Sequence, residues 1–399
     1  MYHCCDIKKP WVAAGAVVGA LIWLIFCADA ADWPQFRGPN GSAISPDPAP
    51  APALSIKWAA ELPGRGLSSP IIVGDNVFVT ASSGPRQERL HLICLSAGNG
   101  EKRWERVLQA TGRTMCQEKT CVAAPTPCSD GQRVFALFSS NDLFCFDLDG
   151  NLLWLRGLTL DYPNASNSLG MAASPVVVGD TLIVPSETDS ESFTAGVEVN
   201  TGRNKWKIDR PKLANWTSPV VLGDAVCLQS GKGITAVAPS TGSMLWEFKK
   251  GASTIESSVA ANGLLFVPSH GITVLKPGTS GPPEELWNSR QVTPGTASPV
   301  VLGDRIYVLN SAGVLAAASV SDGKSAWKLR LQGPFSGSPV AAEKFIYVVS
   351  EKGVIQVVDT TAAEGAIAGQ VELKETVLCT PALAKGAIYV RSDAHLWRL

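Results

Sequence analysis

The side chains with the widest chemical range in this chain are its ten cysteines. The chain has only four histidines. Cys116 and Cys121 bracket the sequence QEKT within one short segment. We interpret this pair as a local disulfide, ahead of a metal site, because no histidine or further spaced cysteine lies nearby. Cys128 and Cys145 fall in apolar runs, where cysteine often serves as a small hydrophobic side chain. The cysteines therefore predict a rigid loop and no bound metal.

Motifs of known catalytic sites are absent from the sequence. It contains no nucleophile elbow, no Gly-rich phosphate loop and no HExxH motif. The carboxylates of Asp147, Asp149 and Asp161 are more simply explained as turn formers than as ligands of Ca²⁺, which needs about six to eight oxygen atoms. We therefore assign no catalytic, cofactor-binding or metal-ligating residue.

A second group of polar residues is better suited to binding than to catalysis. Charged, amide and aromatic side chains occur together in two long segments, as Arg113, Lys119, Asp161, Tyr162, Asn164 and Asn167. Such a mixture is typical of surfaces that bind a polar ligand or a peptide. The alternative, in which these side chains only hydrogen-bond long loops into shape, is equally consistent with the sequence.

Composition restricts the partners of such a surface. Apolar residues make up 45% of the chain and charged residues 17%, so we expect a large buried core and no general disorder. The 34 Lys and Arg residues balance 35 Asp and Glu residues, which gives a net charge of −1. Because no basic excess is present to bind phosphates, we expect no nucleic-acid partner.

The N terminus has the pattern of an export signal. Lys8 and Lys9 precede an uncharged run over 11–28, and Ala28-Asp29-Ala30 places small residues before a cleavage site. We predict a signal peptide over residues 1–30. An uncleaved membrane anchor is the alternative, since about 18 apolar residues just reach spanning length. Either way, the bulk of the chain would lie in the periplasm or at the cell surface, and it would touch a membrane only if this segment is retained.

A repeat organises the rest of the chain. A pattern of three apolar residues, a Gly-Asp-like turn and a β-rich run recurs in eight units, from SPIIVGDNVFV at Ser69 to TPALAKGAIYV at Thr380, and a Ser-Pro or Thr-Pro pair opens all of them except the fifth, which has Ser258-Val259. Successive units are separated by 57, 48, 44, 40, 40, 40 and 42 residues. Units of this length predict an all-β fold, an eight-bladed β-propeller of four-stranded antiparallel blades over residues 55–399.

Most units end on a tight turn that is followed by a tryptophan. We interpret these indoles as structural, each filling the space between neighbouring blades: Trp58, Trp104, Trp154, Trp206, Trp246, Trp287 and Trp327. Trp58 precedes the first unit, and the eighth unit lacks its last strand. The segment 55–62 is therefore predicted to complete the last blade, which closes the ring and removes open sheet edges. The seventh unit lacks a tryptophan, and we expect looser packing there.

The connections between strands predict where a binding site would lie. Blade topology places the loops between second and third strands, and those between blades, on one rim. The long segments 82–89, 107–124, 156–172 and 187–193 all fall on that rim, in units one to three, so we place the site there. Residues 31–54 form a leader with a Pro-rich spacer, and its Trp33 and Phe36 are expected to pack against the ring.

The repeat with its Gly-turn-Trp ending resembles PQQ-like (quinoprotein-type) β-propellers and is similar to the BamB-type propeller of outer-membrane protein assembly. The opening DWPQFRGPNG, Asp32–Gly41, resembles the leader of secreted bacterial PQQ-like repeat proteins. The resemblance covers residues 32–399. It implies the fold and an extracytoplasmic location more strongly than any activity.

For function, the resemblance leaves three interpretations. Quinoprotein dehydrogenases would imply PQQ under an adjacent Cys-Cys disulfide, Ca²⁺ ligands and a catalytic Asp. The only adjacent cysteines here are Cys4 and Cys5, which lie inside the export segment. This departure weighs against a PQQ-dependent oxidoreductase, which we keep as the first alternative. A BamB-like assembly factor is the second alternative. Our first interpretation is a noncatalytic binding or scaffolding propeller without a cofactor, whose partner is another envelope protein or a polar ligand.

Overall fold

Eight antiparallel sheets, one for each sequence unit, surround a central channel. The structure is a computed structural model that describes residue 1 and residues 31–165, 169–278, 281–361 and 363–399. The predicted signal peptide or anchor covers residues 1–30, and of these only residue 1 is among the described residues. Within the described residues, no helix is long and apolar enough to span a bilayer.

The first four blades follow the leader in chain order. The leader contains a short 3-10 helix, Pro39–Gly41, the strand β1 (Ile44–Ser45) and, after the spacer, β2 (Trp58–Glu61). Blade 1 comprises β3 (Ile71–Val73), β4 (Asn76–Ser83), β5 (Arg89–Ser96) and β6 (Lys102–Gln109). Blade 2 comprises β7 (Cys128–Ser129), β8 (Arg133–Leu137), β9 (Asp142–Asp147) and β10 (Leu152–Gly157), which the helix α1 (Leu158–Asp161) follows. Blade 3 comprises β11 (Val176–Val178), β12 (Thr181–Ser186), β13 (Phe193–Glu198) and β14 (Asn204–Asp209). Blade 4 comprises β15 (Val220–Leu222), β16 (Ala225–Ser230), β17 (Gly233–Val237) and β18 (Met244–Phe248).

The remaining blades repeat this plan. Blade 5 comprises β19 (Val259–Ala261), β20 (Leu264–Ser269), β21 (Gly271–Lys276) and β22 (Glu284–Ser289). Blade 6 comprises β23 (Val300–Leu302), β24 (Arg305–Leu309), β25 (Val314–Ser319) and β26 (Ser325–Arg330). Blade 7 comprises β27 (Val340–Ala342), β28 (Phe345–Val349), β29 (Val354–Asp359) and β30 (Ala366–Glu372). Blade 8 comprises β31 (Ala382–Ala384), β32 (Ala387–Arg391) and β33 (His395–Arg398).

The chain closes the ring as the sequence predicts. The N-terminal strand β2 pairs antiparallel with β33, from Trp58 opposite Arg398 to Glu61 opposite His395. Blade 8 therefore contains strands from both ends of the propeller, in the order β2, β33, β32 and β31. The prediction of an eight-bladed propeller with an N-terminal closing strand is confirmed.

Each blade has apolar inner strands and an amphipathic outer strand. The residues of β4 and β5 are buried on both faces, except at the strand ends, because neighbouring blades cover both faces of the sheet. The outer strand β6 contains only exposed and half-buried residues. This pattern explains why the apolar runs of the repeat are continuous in the first strands of a unit and interrupted in the last.

Tryptophans of the outer strands lie between neighbouring blades. The Trp104 indole N–H donates to the Leu148 carbonyl of blade 2 at 2.9 Å, and the ring covers Gly150. Gly150 has a φ of +83°, and a Cβ there would lie 2.7 Å from the indole, so the turn needs glycine for two reasons. The same kind of bond joins four other indoles to the next blade, those of Trp58, Trp154, Trp206 and Trp287. Trp246 and Trp327 are also buried.

Blade 7 replaces its missing tryptophan with the leader spacer. Gly369 lies opposite Val357, the position that tryptophan takes in other blades. The carbonyl of Pro52 lies 1.9 Å from where a Gly369 Cβ would be, and the Tyr347 hydroxyl donates to the Pro50 carbonyl. The expectation of looser packing in this blade was wrong, because the Pro-rich spacer fills the space.

The leader enters the central channel and leaves it again. The Trp33 backbone pairs antiparallel with Ile72 of the innermost strand of blade 1, with N–H···O distances of 2.8 and 2.9 Å. After a turn that includes Arg37, β1 runs parallel to β27, the innermost strand of blade 7. Residues 32–45, which we call the leader loop, therefore rise from the rim of the Gly-Asp turns and return to it. The Trp33 and Arg37 side chains at its centre are fully buried.

Candidate functional site

The Ser-Pro and Thr-Pro pairs of the repeat meet around the channel. In seven described links, the backbone N–H of one blade's Ser or Thr donates to the hydroxyl oxygen of the next, at 2.9–3.0 Å. We call these residues the hydroxyl ring: Ser69, Thr126, Ser174, Ser218, Ser257, Ser298, Ser338 and Thr380. The proline or serine that follows directly precedes the innermost strand. The ring is therefore held at one level, on the side of the long loops.

The hydroxyl ring lies at the base of a cavity of about 480 Å³ that opens toward the long loops, and we call this cavity the funnel. All eight ring residues line it. Its wall is mainly apolar, and the larger side chains in it are Leu67, Leu169, Trp216, Ile255 and Leu378. Such a cavity, with a few polar groups at one level and apolar walls, has the usual make-up of a ligand site.

The apex of the leader loop closes the funnel from below. Phe36 lines the cavity. The Arg37 guanidinium donates to the backbone carbonyls of Ser258 and Pro299, the residues directly after Ser257 and Ser298 of the ring. Burial lowers the pKa of Arg37 to about 9, and no ion pair with it is found in the described part of the chain. A buried positive charge therefore lies just below the hydroxyl ring.

Loops from successive blades are joined around the mouth of the funnel. The Gln117 N–H donates to the Leu169 carbonyl, and the Trp216 indole donates to the Gly170 carbonyl at 2.8 Å. The Lys119 ammonium lies 3.4 Å from a carboxylate oxygen of Glu351 in blade 7. These contacts link the connections of blades 1, 2, 3 and 7, so the mouth has a fixed shape.

The polar residues that we predicted for one site are divided between two places. Lys119 lines the funnel. Asp161 forms an ion pair with Arg156, and Tyr162 packs on Phe193 with ring centroids 4.5 Å apart. Both Asp161 and Tyr162 line a separate cleft between blades 2 and 3, where Asn204 donates to the Tyr162 hydroxyl at 2.7 Å.

The other predicted rim residues do not join these two places. Arg113 is exposed, and its guanidinium contacts the Met115 sulfur. Asn164 is exposed, and its backbone carbonyl accepts hydrogen bonds from Glu191 and Ser190. Asn167 lies outside the described residues. The funnel is thus a site that sequence reasoning missed, although its marker, the repeated Ser or Thr before proline, was visible.

The local disulfide that we predicted is not formed. All seven cysteines of the described residues have free thiols, including Cys116 and Cys121. Cys121 is buried in the core of blades 1 and 2, and burial raises its pKa to about 12. Cys116 instead lies against Gly170 and accepts a hydrogen bond from the Gln87 amide. The two side chains point toward different neighbours, which is why the short spacing was misleading.

The funnel residues do not fit PQQ with Ca²⁺. Among the described residues, no three His, Cys, Asp or Glu side chains are grouped as a metal site would require. Ca²⁺ is held mainly by carboxylate and carbonyl oxygens, whereas the described funnel residues include no carboxylate, and their polar side chains are mainly hydroxyls with the Gln117 amide and the Lys119 ammonium. The leader loop also occupies the channel directly below, so we derive no cofactor chemistry.

The fold and the funnel define an eight-bladed propeller of the PQQ-like repeat class. A family model described as "Outer membrane protein assembly factor BamB" matches residues 55–184, 163–281 and 279–368. These segments cover more than half of the chain, and the chain therefore belongs to this family. The match confirms the resemblance that the repeat and its tryptophans indicated.

Two relatives carry the same description. The outer membrane protein assembly factor BamB of Bordetella pertussis is 21% identical over 245 residues, which cover 60% of this chain and 56% of the relative. The protein of that name from Alkalilimnicola ehrlichii is 26% identical over 201 residues, which cover 50% and 47%. The chain thus spans about half the length of the curated relatives it matches.

Solved structures share the architecture at low identity. BamB from Moraxella catarrhalis superposes with a TM-score of 0.63 at 16% identity, covering 86% of this chain and 97% of the other. Quinohemoprotein alcohol dehydrogenase from Comamonas testosteroni gives a TM-score of 0.71 at 13% identity, with 93% and 81% covered. At these identities the likeness shows the fold alone.

Proposed function

We propose that this chain is an exported, noncatalytic scaffold of the cell envelope that binds another protein during outer-membrane protein assembly. The observation that carries the proposal is the family match across residues 55–368, because the family is described as an assembly factor. The predicted export signal is consistent with a periplasmic location. No nucleic-acid partner is proposed, given the net charge of −1.

The partner surface that we infer lies on the rim of the long loops. The connections that leave blades 1 to 4 each expose a large apolar side chain, and we call this set the apolar arc: Met115, Leu160, Leu213 and Ile255. Leu160, in α1, is 74% exposed. Exposed apolar side chains on neighbouring connections of a rigid scaffold favour a protein partner.

Crosslinking mass spectrometry in the source organism tests this proposal. The wild-type protein is expected to give crosslinks from Lys119 and Lys212, on the loop rim, to a second envelope protein. Leu160→Glu combined with Leu213→Glu should remove them, because burying a carboxylate in an apolar interface is unfavourable. Leu286→Glu is the matched control, since Leu286 is exposed on the outer strand β22. Recovery of the wild-type protein alone, or equal crosslinks in both variants, would contradict the proposal.

An oxidoreductase function receives no support from the funnel residues. We expect no absorbance change and no thermal shift when the purified protein is titrated with PQQ and Ca²⁺. A saturable change in either signal would reverse this assignment and restore the redox alternative.

A further inference from the structure

The hydroxyl ring has unused hydrogen-bond donors that face the funnel. Seven of its hydroxyl oxygens accept a backbone N–H, but in the described residues none of the eight hydroxyls donates to a protein acceptor. All eight side chains are buried, and Ser69 is only 1% exposed. A buried hydroxyl normally donates as well as accepts. The ring therefore presents a circle of donors to whatever occupies the cavity.

Charge in and below the cavity favours an anionic acceptor. No carboxylate lines the funnel among the described residues, and Lys119 at its mouth is paired with Glu351, so the uncompensated charge nearest the ring is that of Arg37. Arg37 lies one residue below the level of the ring, and its guanidinium is bonded only to neutral carbonyls. Its Nε atom has no hydrogen-bond partner. A negative group held by the ring would be attracted by this buried cation, and hydrogen bonds to a charged group are the stronger kind.

The wall above the ring suits a hydrocarbon body. Leu67, Ile255 and Leu378 contribute apolar surface, and the Trp216 ring adds an aromatic face. The cavity of about 480 Å³ is closed at its base by Phe36 and is of the size of small-molecule sites. The loop contacts around the mouth limit its width.

We propose that the funnel binds a small apolar carboxylate, with its head group on the hydroxyl ring and its hydrocarbon chain against the apolar wall. The occupant we commit to is a free medium-chain carboxylic acid. This inference rests on the funnel and does not require the partner protein, although Ile255 belongs both to the funnel wall and to the apolar arc.

Titration with three probes of equal chain length tests the proposal. Octanoate, octanol and octylammonium share one hydrocarbon body and differ in the head group. Calorimetry is expected to show saturable binding of octanoate with one site per chain. Octanol should bind about tenfold more weakly, and octylammonium should bind more weakly still, because the charge of Arg37 attracts the carboxylate and repels the ammonium group.

Variants of the site separate recognition from stability. Thr126→Val removes one ring hydroxyl at nearly constant volume and is expected to weaken octanoate binding several-fold. Thr194→Val is the matched control, since its buried hydroxyl donates to Glu187 and does not line the funnel. Arg37→Gln keeps donors for the Ser258 and Pro299 carbonyls without the charge, and we expect about a tenfold loss for octanoate and no change for octanol.

Three results of these titrations would overturn the proposed carboxylate site or its occupant. Equal affinities for octanoate and octanol would overturn recognition of the carboxylate. The absence of octanoate binding to folded wild-type protein, as judged by circular dichroism, would overturn the site. Binding of an apolar peptide only when its C-terminal carboxylate is free, without binding of octanoate, would overturn the free acid as the occupant. Crosslinks to an envelope partner could persist in every one of these cases, so the failure of this inference is distinct from failure of the proposed function.

Discussion

At the residue scale, tryptophans at equivalent positions of the repeat differ in whether the indole N–H group is hydrogen-bonded. The Trp287 N–H donates to the Val320 carbonyl at 2.9 Å, whereas the buried Trp327 N–H has no partner. Replacement by phenylalanine removes area at both positions, but it removes a hydrogen bond only at Trp287. We expect Trp287→Phe to lower the free energy of unfolding by about 1–2 kcal/mol more than Trp327→Phe does. Urea denaturation of both variants measures this difference, and a larger loss for Trp327→Phe would contradict it.

Buried thiols predict that the protein loses stability at alkaline pH. Burial raises the pKa of Cys227 from 9.0 to about 12. A raised pKa in the folded state means that the stabilisation is complete below pH 9 and is lost between pH 9 and 12, as the unfolded thiol ionises first. From pH 8 to pH 10, this group should account for about 1.4 kcal/mol of the loss. Arg37 acts in the opposite direction, since its pKa is lowered to about 9.

Cys227→Ala isolates the contribution of this thiol. The variant is expected to lose less free energy of unfolding between pH 8 and pH 10 than the wild type, even if it is less stable at both values. Arg37 is unchanged in both proteins, so its opposite contribution cancels in the comparison. Urea denaturation at the two pH values provides the measurement. The same pH dependence in both proteins would show that the thiol does not titrate as burial predicts.

At the element scale, the blades could be predicted from the sequence because their information is local. Most units carry their own turn glycine, apolar runs and tryptophan, so eight repetitions of a similar pattern supported a single interpretation. The position of the leader loop could not be predicted, although its Trp33 and Phe36 indicated packing against the ring. Its path depends on contacts across the whole chain, such as that of Arg37 with Pro299.

The candidate site was predicted less well than the fold, for a related reason. The Ser and Thr residues of the repeat were visible as a motif, but their ring joins residues 39 to 57 positions apart in sequence. Conversely, Arg113 and Tyr162 have the polar character expected of one binding site, but they lie apart in the structure. Arg113 contacts Met115, whereas Tyr162 packs on Phe193. Composition identifies residues that suit binding, while only tertiary packing determines which of them face one cavity.

The leader loop contributes two buried side chains, Trp33 and Arg37, that we expect to differ in how much they stabilise the fold. Trp33→Ala should lower the free energy of unfolding by about 3–5 kcal/mol, because a fully buried indole is removed from the channel. Arg37→Met should cost less than about 1 kcal/mol, since the loss of two hydrogen bonds to carbonyls is offset by removal of an unpaired buried charge. Chemical denaturation compares the two. Equal losses would indicate that the charge of Arg37 is compensated in solution.

At the scale of the whole molecule, one short strand completes the last blade of the ring. β2 supplies the outer edge of blade 8, and Trp58 connects this blade to blade 1 through its bond to the Ala97 carbonyl. Without β2, the backbone N–H and C=O groups of β33 form an open sheet edge. The contact between blades 8 and 1 also loses the hydrogen bond from Trp58 to Ala97. Open edges of this kind pair with other chains.

Two truncations of a protein that begins at residue 31 distinguish closure from channel filling. Deletion of residues 31–45 removes the leader loop and keeps the spacer and β2, so we expect a monomer with a lower unfolding temperature and a single cooperative transition. Deletion of residues 31–62 also removes β2 and the spacer that fills blade 7, and we expect self-association together with a broadened transition, because the edge of β33 is opened and the ring is no longer continuous. Size-exclusion chromatography with light scattering and calorimetry report both properties. If the longer deletion stayed monomeric and unfolded as sharply as the shorter one, the cooperativity of the propeller would arise within its blades and not from closure of the ring.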